Sequence, residues 1–383
     1  VLPVRDVIVV GGGPVGLMMA ALAADRGLDV AVWEKRDQPA TLSRAIGIHP
    51  PALGIFERLG LADQLVAEGI PIRRGVARSG GRTVGTLSFG GVSDRFPFVL
   101  SLPQYRTEAN LEQKLAELAP GALRRGVSVS GIEEHPGHVA VTGTASDGST
   151  VTERARFVVG ADGPRSTLRR LLGVRVATRF YPDTFVMGDF RDDTGDESDA
   201  VIHLERRGVV ESFPLPSGLR RFVVATDAMM EQPDADHVAA LVAERTGAAV
   251  EPSSNLMLSA FTVRRRFVER VLGRRVALIG DAAHEISPIG GQGMNLGWLD
   301  AQALLPIIAT TVRRGSVSSD RAAYYARERG VAARRAARQA EINMALGRRA
   351  SSLTVAGRNL ALGGLLKSPA SGLLAQVYAM KLI

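Results

Sequence analysis

Gly11, Gly13 and Gly16 stand in the pattern Gly-x-Gly-x-x-Gly directly after an apolar run, Val7-Ile8-Val9-Val10. The chemistry that needs this spacing is the holding of a pyrophosphate. The first glycine permits a tight turn, the second lets a phosphate approach the backbone, and the third lets a helix pack closely on a strand. The helix then offers unpaired N–H groups and its positive end to the anion. Pro14 and Val15 lie inside the same loop. Glu34 closes the next apolar run, at the spacing where a carboxylate accepts the hydroxyls of a ribose, with Lys35 beside it. A glycine-rich turn without a ligand is the competing interpretation; the strand before, the helix after and the acid in place favour a dinucleotide.

Two later segments narrow the choice of dinucleotide. The first is Val158-Val159-Gly160-Ala161-Asp162-Gly163-Pro164-Arg165-Ser166. The second runs from Gly280-Asp281-Ala282-Ala283-His284 through Pro288 to Gly290-Gly291-Gln292-Gly293-Met294-Asn295. Together with the glycine fingerprint, in this order and over nearly the whole chain, they resemble the motifs of the group A aromatic hydroxylases, the family of para-hydroxybenzoate hydroxylase.

That resemblance implies a non-covalently bound FAD, NADPH or NADH as a transient co-substrate, and O2. Arg44 and Gln104 match positions that contact FAD. Asp162, Gly163 and Arg165 match a segment that contacts FAD and assists the nicotinamide, although a strand end followed by a helix capped by Ser166 would read similarly. Asp281, after Gly280, would hydrogen-bond the ribityl chain. Gly290, Gly291 and Gly293 would let the backbone lie against the isoalloxazine ring, and Pro288 would sit at its reactive edge. The helix opening near Met294 and Asn295 would aim its positive end at the pyrimidine side and raise the reduction potential.

The implied reaction is hydroxylation or epoxidation of an aromatic, quinone or polyketide-like molecule through a flavin C4a-hydroperoxide. No side-chain acid or base is assigned. A second Gly-x-Gly-x-x-Gly unit is absent, which disfavours two-dinucleotide enzymes. The two tryptophans, Trp33 and Trp298, do not make the Trp-x-Trp-x-x-Pro signature of flavin halogenases. Two other readings stay open: a flavin oxidoreductase of the same fold that inserts no oxygen, and a non-catalytic escort-type binder.

The elements that must position these residues follow from patterning. Asp6–Val10, a helix from Val15 and Asp29–Trp33 form a βαβ opening. Pro50 to Gly69 is helical with a break at Gly60, and 70–102 alternates as hairpins do. A helix covers Thr107–Leu118, and strands cover 127–132, 139–144 and 154–159. Short strands at 184–190, 200–204, 209–215 and 221–226, then a helix at 235–246, read as an inserted antiparallel sheet. Val276–Gly280 is a buried strand. The expected fold class is α/β with an α+β insertion: a Rossmann-like FAD-binding domain with a parallel sheet (1–70, 101–180 and 265–340), an interleaved, mostly antiparallel substrate domain (71–100 and 181–264) and a helical tail (341–383). One face of the insertion would cover the flavin, which points to Phe185, Met187, Asp189 and Phe213 as pocket residues. Docking on the body is expected for the apolar tail, ahead of a membrane or partner contact.

Composition sets the outer limits. The chain has 383 residues, 45% hydrophobic and 22% charged, as globular proteins do. It has no cysteine, which excludes disulfides, thiolate nucleophiles and Cys-ligated metals and makes a reducing cytoplasm the default. The net charge of +8 is spread along the chain, with no basic stripe for nucleic acid. The histidines share no metal-ligand spacing, so no metal is expected. The chain reads as beginning in a strand with no leader segment, as having no membrane-spanning run, as a short form without a thioredoxin-like domain, and as a monomer or homodimer.

Overall fold

The computed structural model describes residues 3–41 and 44–382. It opens with strand β1 (Val4–Val10), helix α1 (Pro14–Asp25) and strand β2 (Val30–Glu34), the two strands pairing in parallel. Val7–Val10 are all apolar and all buried, as in a strand covered on both faces. Next come β3 (Gly47–Ile48), α2 (Pro50–Arg58), α3 (Ala62–Glu68), β4 (Ile70–Ile72), the hairpin β5 (Arg74–Ser79) and β6 (Arg82–Ser88), and β7 (Val99–Ser101). Helix α4 (Gln104–Leu118) leads through β8 (Leu123–Arg125) into a meander of β9 (Val127–Glu134), β10 (Val139–Ala145) and β11 (Thr150–Gly160).

The first sheet has the order β8-β2-β1-β11-β10-β9. Strand β11 serves two geometries. Its first half pairs antiparallel with β10, and its last residues pair in parallel with β17 (Val276–Leu278), Val158 lying opposite Val276. The Asp-Gly and Gly-Asp segments therefore leave neighbouring parallel strands at the same edge, next to the loop after β1.

After the short α5 (Thr167–Leu171) the chain builds a second sheet from β12 (Val176–Arg191), β13 (Ala200–His203), β14 (Val210–Leu215) and β15 (Leu219–Thr226), then α6 (Ala235–Thr246) and β16 (Met257–Val268). With β18 (His284–Glu285) and the early hairpin, its order is β18-β16-β12-β15-β14-β13-β5-β6. All neighbours are antiparallel except β13 and β5. This sheet departs from the sequence expectation in two places: β12 begins at Val176, and the whole of β16 was unforeseen. Thr262 and Arg264-Arg265-Arg266 interrupt the apolar alternation of β16, yet it pairs with β12 along nearly its full length. The second sheet thus reaches beyond 181–264 at both ends.

Helices α7 (Gly293–Arg314), α8 (Ser319–Gly347), α9 (Ser352–Lys367) and α10 (Ser371–Tyr378) complete the chain. The N-termini of α1 and α7 converge. Trp298 Nε1 donates to the Pro14 carbonyl at 3.0 Å, and a Cβ on Gly297 would lie 2.5 Å from Val15. The tail packs through only part of its apolar surface: Leu366 sits over Gly85, whereas Leu353 and Leu360 are 86% and 81% exposed. Among the described residues no helix is long and apolar enough to cross a membrane, and no group of side chains could hold a metal ion.

Candidate active site

The glycine loop is shaped by close approach. Gly11 has φ +108°, and a Cβ there would come within 2.4 Å of the Ala161 carbonyl oxygen. A Cβ on Gly16 would lie 1.9 Å from the Gly11 oxygen, which admits no side chain. Around Gly13 there is nothing within 4 Å, so its backbone opens onto space at the start of α1. Glu34 reaches back to this loop, accepting from the Gly12 N–H at 2.7 Å and from the Arg36 N–H and Nε at 2.9 Å. Burial opposes its charge, but these hydrogen bonds outweigh burial and hold the carboxyl below its ordinary value.

Asp162 and Asp281 enter from the two neighbouring strand ends. Asp162 Oδ2 accepts from the Leu168 N–H at 3.0 Å, while Oδ1 is buried without a partner. Ser166 caps α5, accepting from the Arg169 N–H at 3.0 Å. Burial, reinforced by Glu285, pushes Asp281 up to about 6. Behind Asp281, Asp300 of α7 gathers three donors: the Gly280 N–H at 3.1 Å, His284 Nε2 at 2.6 Å and Arg329 Nε at 2.7 Å.

One continuous cavity of about 850 Å³ joins these features to the face of the second sheet. Gly11, Gly13, Pro14, Val15, Glu34 and Lys35 line its first end. Arg44, Gln104, Asp162, Gly163, Arg165 and Asp281 line the middle, followed by Pro288, Gly291, Gly293 and Met294. Gly16, Gly280 and Asn295 lie behind this wall instead of on it. Gly16 is the contact between helix and turn, and Gly280 faces Val15. Asn295 is a clamp: its Oδ1 accepts from the His49 N–H at 2.8 Å, and its Nδ2 donates to the carbonyls of Gly47 and Gly291 at 2.8 and 3.0 Å.

At the far end Met187 and Phe213 line the cavity, but Phe185 and Asp189 do not. Phe185 stacks against Phe261, centroids 5.6 Å apart, and it is Phe261 that meets the cavity. Asp189 is consumed by a bidentate pair with Arg221 at 2.6 and 2.7 Å, and Arg221 also donates to the Arg44 carbonyl. Strand alternation puts Phe185 and Asp189 on the correct face, but neighbouring side chains cover both of them.

A sequence model described as "FAD binding domain" matches residues 5–340. The chain belongs to the FAD-binding domain family. It is 34% identical over 333 residues to 6-methylpretetramide 4-monooxygenase of Streptomyces rimosus, an alignment covering 85% of this chain and 59% of that protein. The chain thus spans about six-tenths of the length of the curated relatives it matches. The solved p-nitrophenol 4-monooxygenase PnpA of Pseudomonas putida DLL-E4 superposes with TM-score 0.89 at 23% identity, covering 98% of this chain and 97% of that one, a likeness of fold. The Diels-Alderase PyrE3 of pyrroindomycin biosynthesis superposes with TM-score 0.80 at 26% identity, covering 98% and 80%.

An FAD-binding domain needs room at the backbone for a pyrophosphate and polar groups along an extended ligand. Both are present: the open space over Gly13, and the unpaired Oδ1 of Asp162 with the Asp281 carboxyl farther along. Several residues that line the cavity or brace its wall carry no motif signal. Asp300, Arg329, Arg221, Phe261 and Glu211 are identified by their neighbours in space, and no local period in the sequence links them.

Proposed function

We propose that this chain carries the catalytic portion of an FAD-dependent monooxygenase, which consumes NADPH or NADH and O2 to hydroxylate or epoxidise an aromatic or polyketide-type molecule. The observation that carries this reading is the continuity of the cavity from the glycine loop to the apolar face of the second sheet. The naming of relatives such as the pretetramide monooxygenase supports it.

FAD, when bound, supplies hydride acceptance from a nicotinamide and the activation of dioxygen. In this reading the N-terminus of α1 and Gly13 hold the pyrophosphate, Glu34 the ribose, and Asp281 the ribityl chain, with Arg44, Gln104 and the 162–165 segment alongside. Pro288 and Gly291 would form the rim that holds the ring, with the N-terminus of α7 supplying its positive end beside them. Pro288 has no N–H to donate, so it closes that edge without offering a proton. Met187, Phe213 and Phe261 exclude water from the far end. Segments 1–70, 101–175 and 269–340, apart from β18, act as the flavin-holding unit, and the second sheet acts as the substrate-holding unit. The absence of cysteine suits a reducing cytoplasm.

The test uses the purified yellow protein with NAD(P)H under labelled dioxygen, screened over phenols, quinones and polyketide intermediates. Oxygen-18 in the product and a strong acceleration of flavin reduction by one compound are expected. PyrE3, a fold relative of this chain named as a Diels-Alderase, favours a second reading without oxygen insertion. Turnover with no label in the product would select it.

A further inference from the structure

Glu211 is the second residue of β14 and lines the cavity, yet it is only 8% exposed. Its neighbours across the sheet form one register row: Met187 on β12 opposite Val223 on β15, Val223 opposite Glu211, Glu211 opposite Ile202 on β13, and Ile202 opposite Ala77 on β5. All five line the cavity. The row is apolar on both sides of the carboxyl, which meets no hydrogen-bond donor and no cation among the described residues. A strand register that sets one acid among Met, Val, Ile and Ala leaves its oxygens facing the cavity with no protein partner, a setting that is costly for a carboxyl unless a ligand group pairs with it.

The groups around it do not fill that need. Across the cavity Tyr378 of α10 donates its hydroxyl to Asn343 Oδ1 at 2.7 Å. Arg221, one row along, is held by Asp189 and the Arg44 carbonyl.

We propose that Glu211 is the residue that selects and orients the substrate, its carboxylate accepting a hydrogen bond from a hydroxyl or N–H on an otherwise apolar ligand. This rests on the reading of the apolar end as the substrate site. The consequence is chemical as well as geometric. A hydroxyl donating to a carboxylate gains electron density at oxygen, and through it at the ortho and para carbons of an aromatic ring, the positions an electrophilic oxygen attacks.

Burial pushes Glu211 up to about 7, so the accepting form grows as pH rises through that value. Of the groups that share the cavity, Tyr378 is pushed up to about 12 by burial and by Glu211, His49 is pushed down to about 4 by burial, and Asp281, at the flavin end, titrates near 6.

The test is calorimetric binding of 2-naphthol and of 2-methoxynaphthalene to the FAD-loaded protein, from about pH 6 to about pH 8. The naphthol is expected to bind about tenfold or more tighter than its methyl ether, with the preference growing as pH rises. Glu211→Leu should erase the preference. Glu211→Gln, which still accepts through its amide oxygen, should keep part of it and lose its pH dependence, even if the leucine variant fails to fold. A preference that survives in Glu211→Leu, a pH dependence that survives in Glu211→Gln, or equal binding of both ligands to the parent overturns the proposal and leaves the monooxygenase reading standing. If neither ligand binds a protein that holds its flavin, the apolar end is not an aromatic site, and the role of Glu211 falls with it.

Discussion

Nε2 of His284 lies 2.6 Å from Oδ2 of Asp300, in a buried position directly behind Asp281. The same Asp300 takes Arg329 on its other oxygen and the Gly280 N–H beside His284, so one carboxylate fixes the turn that carries Asp281 into the cavity. Burial disfavours charge on both partners. Their mutual attraction outweighs it, holding His284 above and Asp300 below their ordinary values.

Asp300→Asn therefore strands Arg329 and uncouples His284. Breaking one side of a buried ion pair costs about 3–5 kcal/mol, and urea unfolding of parent and variant would measure it. The pH profile carries a sign. The Asp300 contribution is present above its unfolded value of 3.8 and fades as pH falls through its lower folded value; the His284 contribution is present below 6.5 and fades as pH rises through its higher folded value. The stability difference between parent and variant should peak between these limits and shrink on both sides.

Gly13→Ala and Gly16→Ala separate ligand space from packing. The Gly16 variant must displace the Gly11 carbonyl, 1.9 Å from the added carbon, and should lose about 3 kcal/mol or more. At Gly13 the added methyl meets nothing in the protein, and φ is −83°. The flavin-free Gly13 variant should melt with the parent, within about 0.5 kcal/mol, yet bind FAD more weakly in a fluorescence titration.

Phe185 and Phe213 test the corrected pocket. Phe185→Ala removes a buried ring stacked behind Phe261 and should cost about 3–5 kcal/mol by denaturant unfolding. Phe213→Ala enlarges the cavity itself, so the main change should be the range of ligands bound, with a smaller loss of stability.

Asp281 should make the flavin-free protein lose stability as pH rises from about 4 toward 6. Its carboxyl titrates near 3.8 unfolded and is pushed up to about 6 by burial, so folding favours the protonated form. Thermal melts of parent and Asp281→Asn across that range should converge at low pH and separate in favour of the variant above it.

What could be read in advance followed from local chemistry. The glycine loop is legible because Gly11 and Gly16 touch within a few residues of each other, and a close backbone contact forbids any other residue. The Asp-Gly and Gly-Asp segments are legible because each follows a short apolar run, Phe157-Val158-Val159 at the end of β11 and Val276-Ala277-Leu278-Ile279. Strand β16 was not, since its arginines face ion partners such as Glu285 and Glu341 that lie far along the chain. Nor was Glu211: an acid in a strand ordinarily marks the solvent face, and only the register of β13, β14 and β15 turns it inward.

The walls of the cavity come from opposite ends of the chain. The glycine loop, the 162–165 segment and Asp281 all precede α7, whereas Leu362, Leu366 and Tyr378, which face the second sheet, come after it. A polypeptide emerging from the ribosome N-terminus first has its dinucleotide cradle in hand before the apolar end acquires its far side. On that order the cradle for the flavin would be complete in a growing chain while the substrate chamber is still a groove.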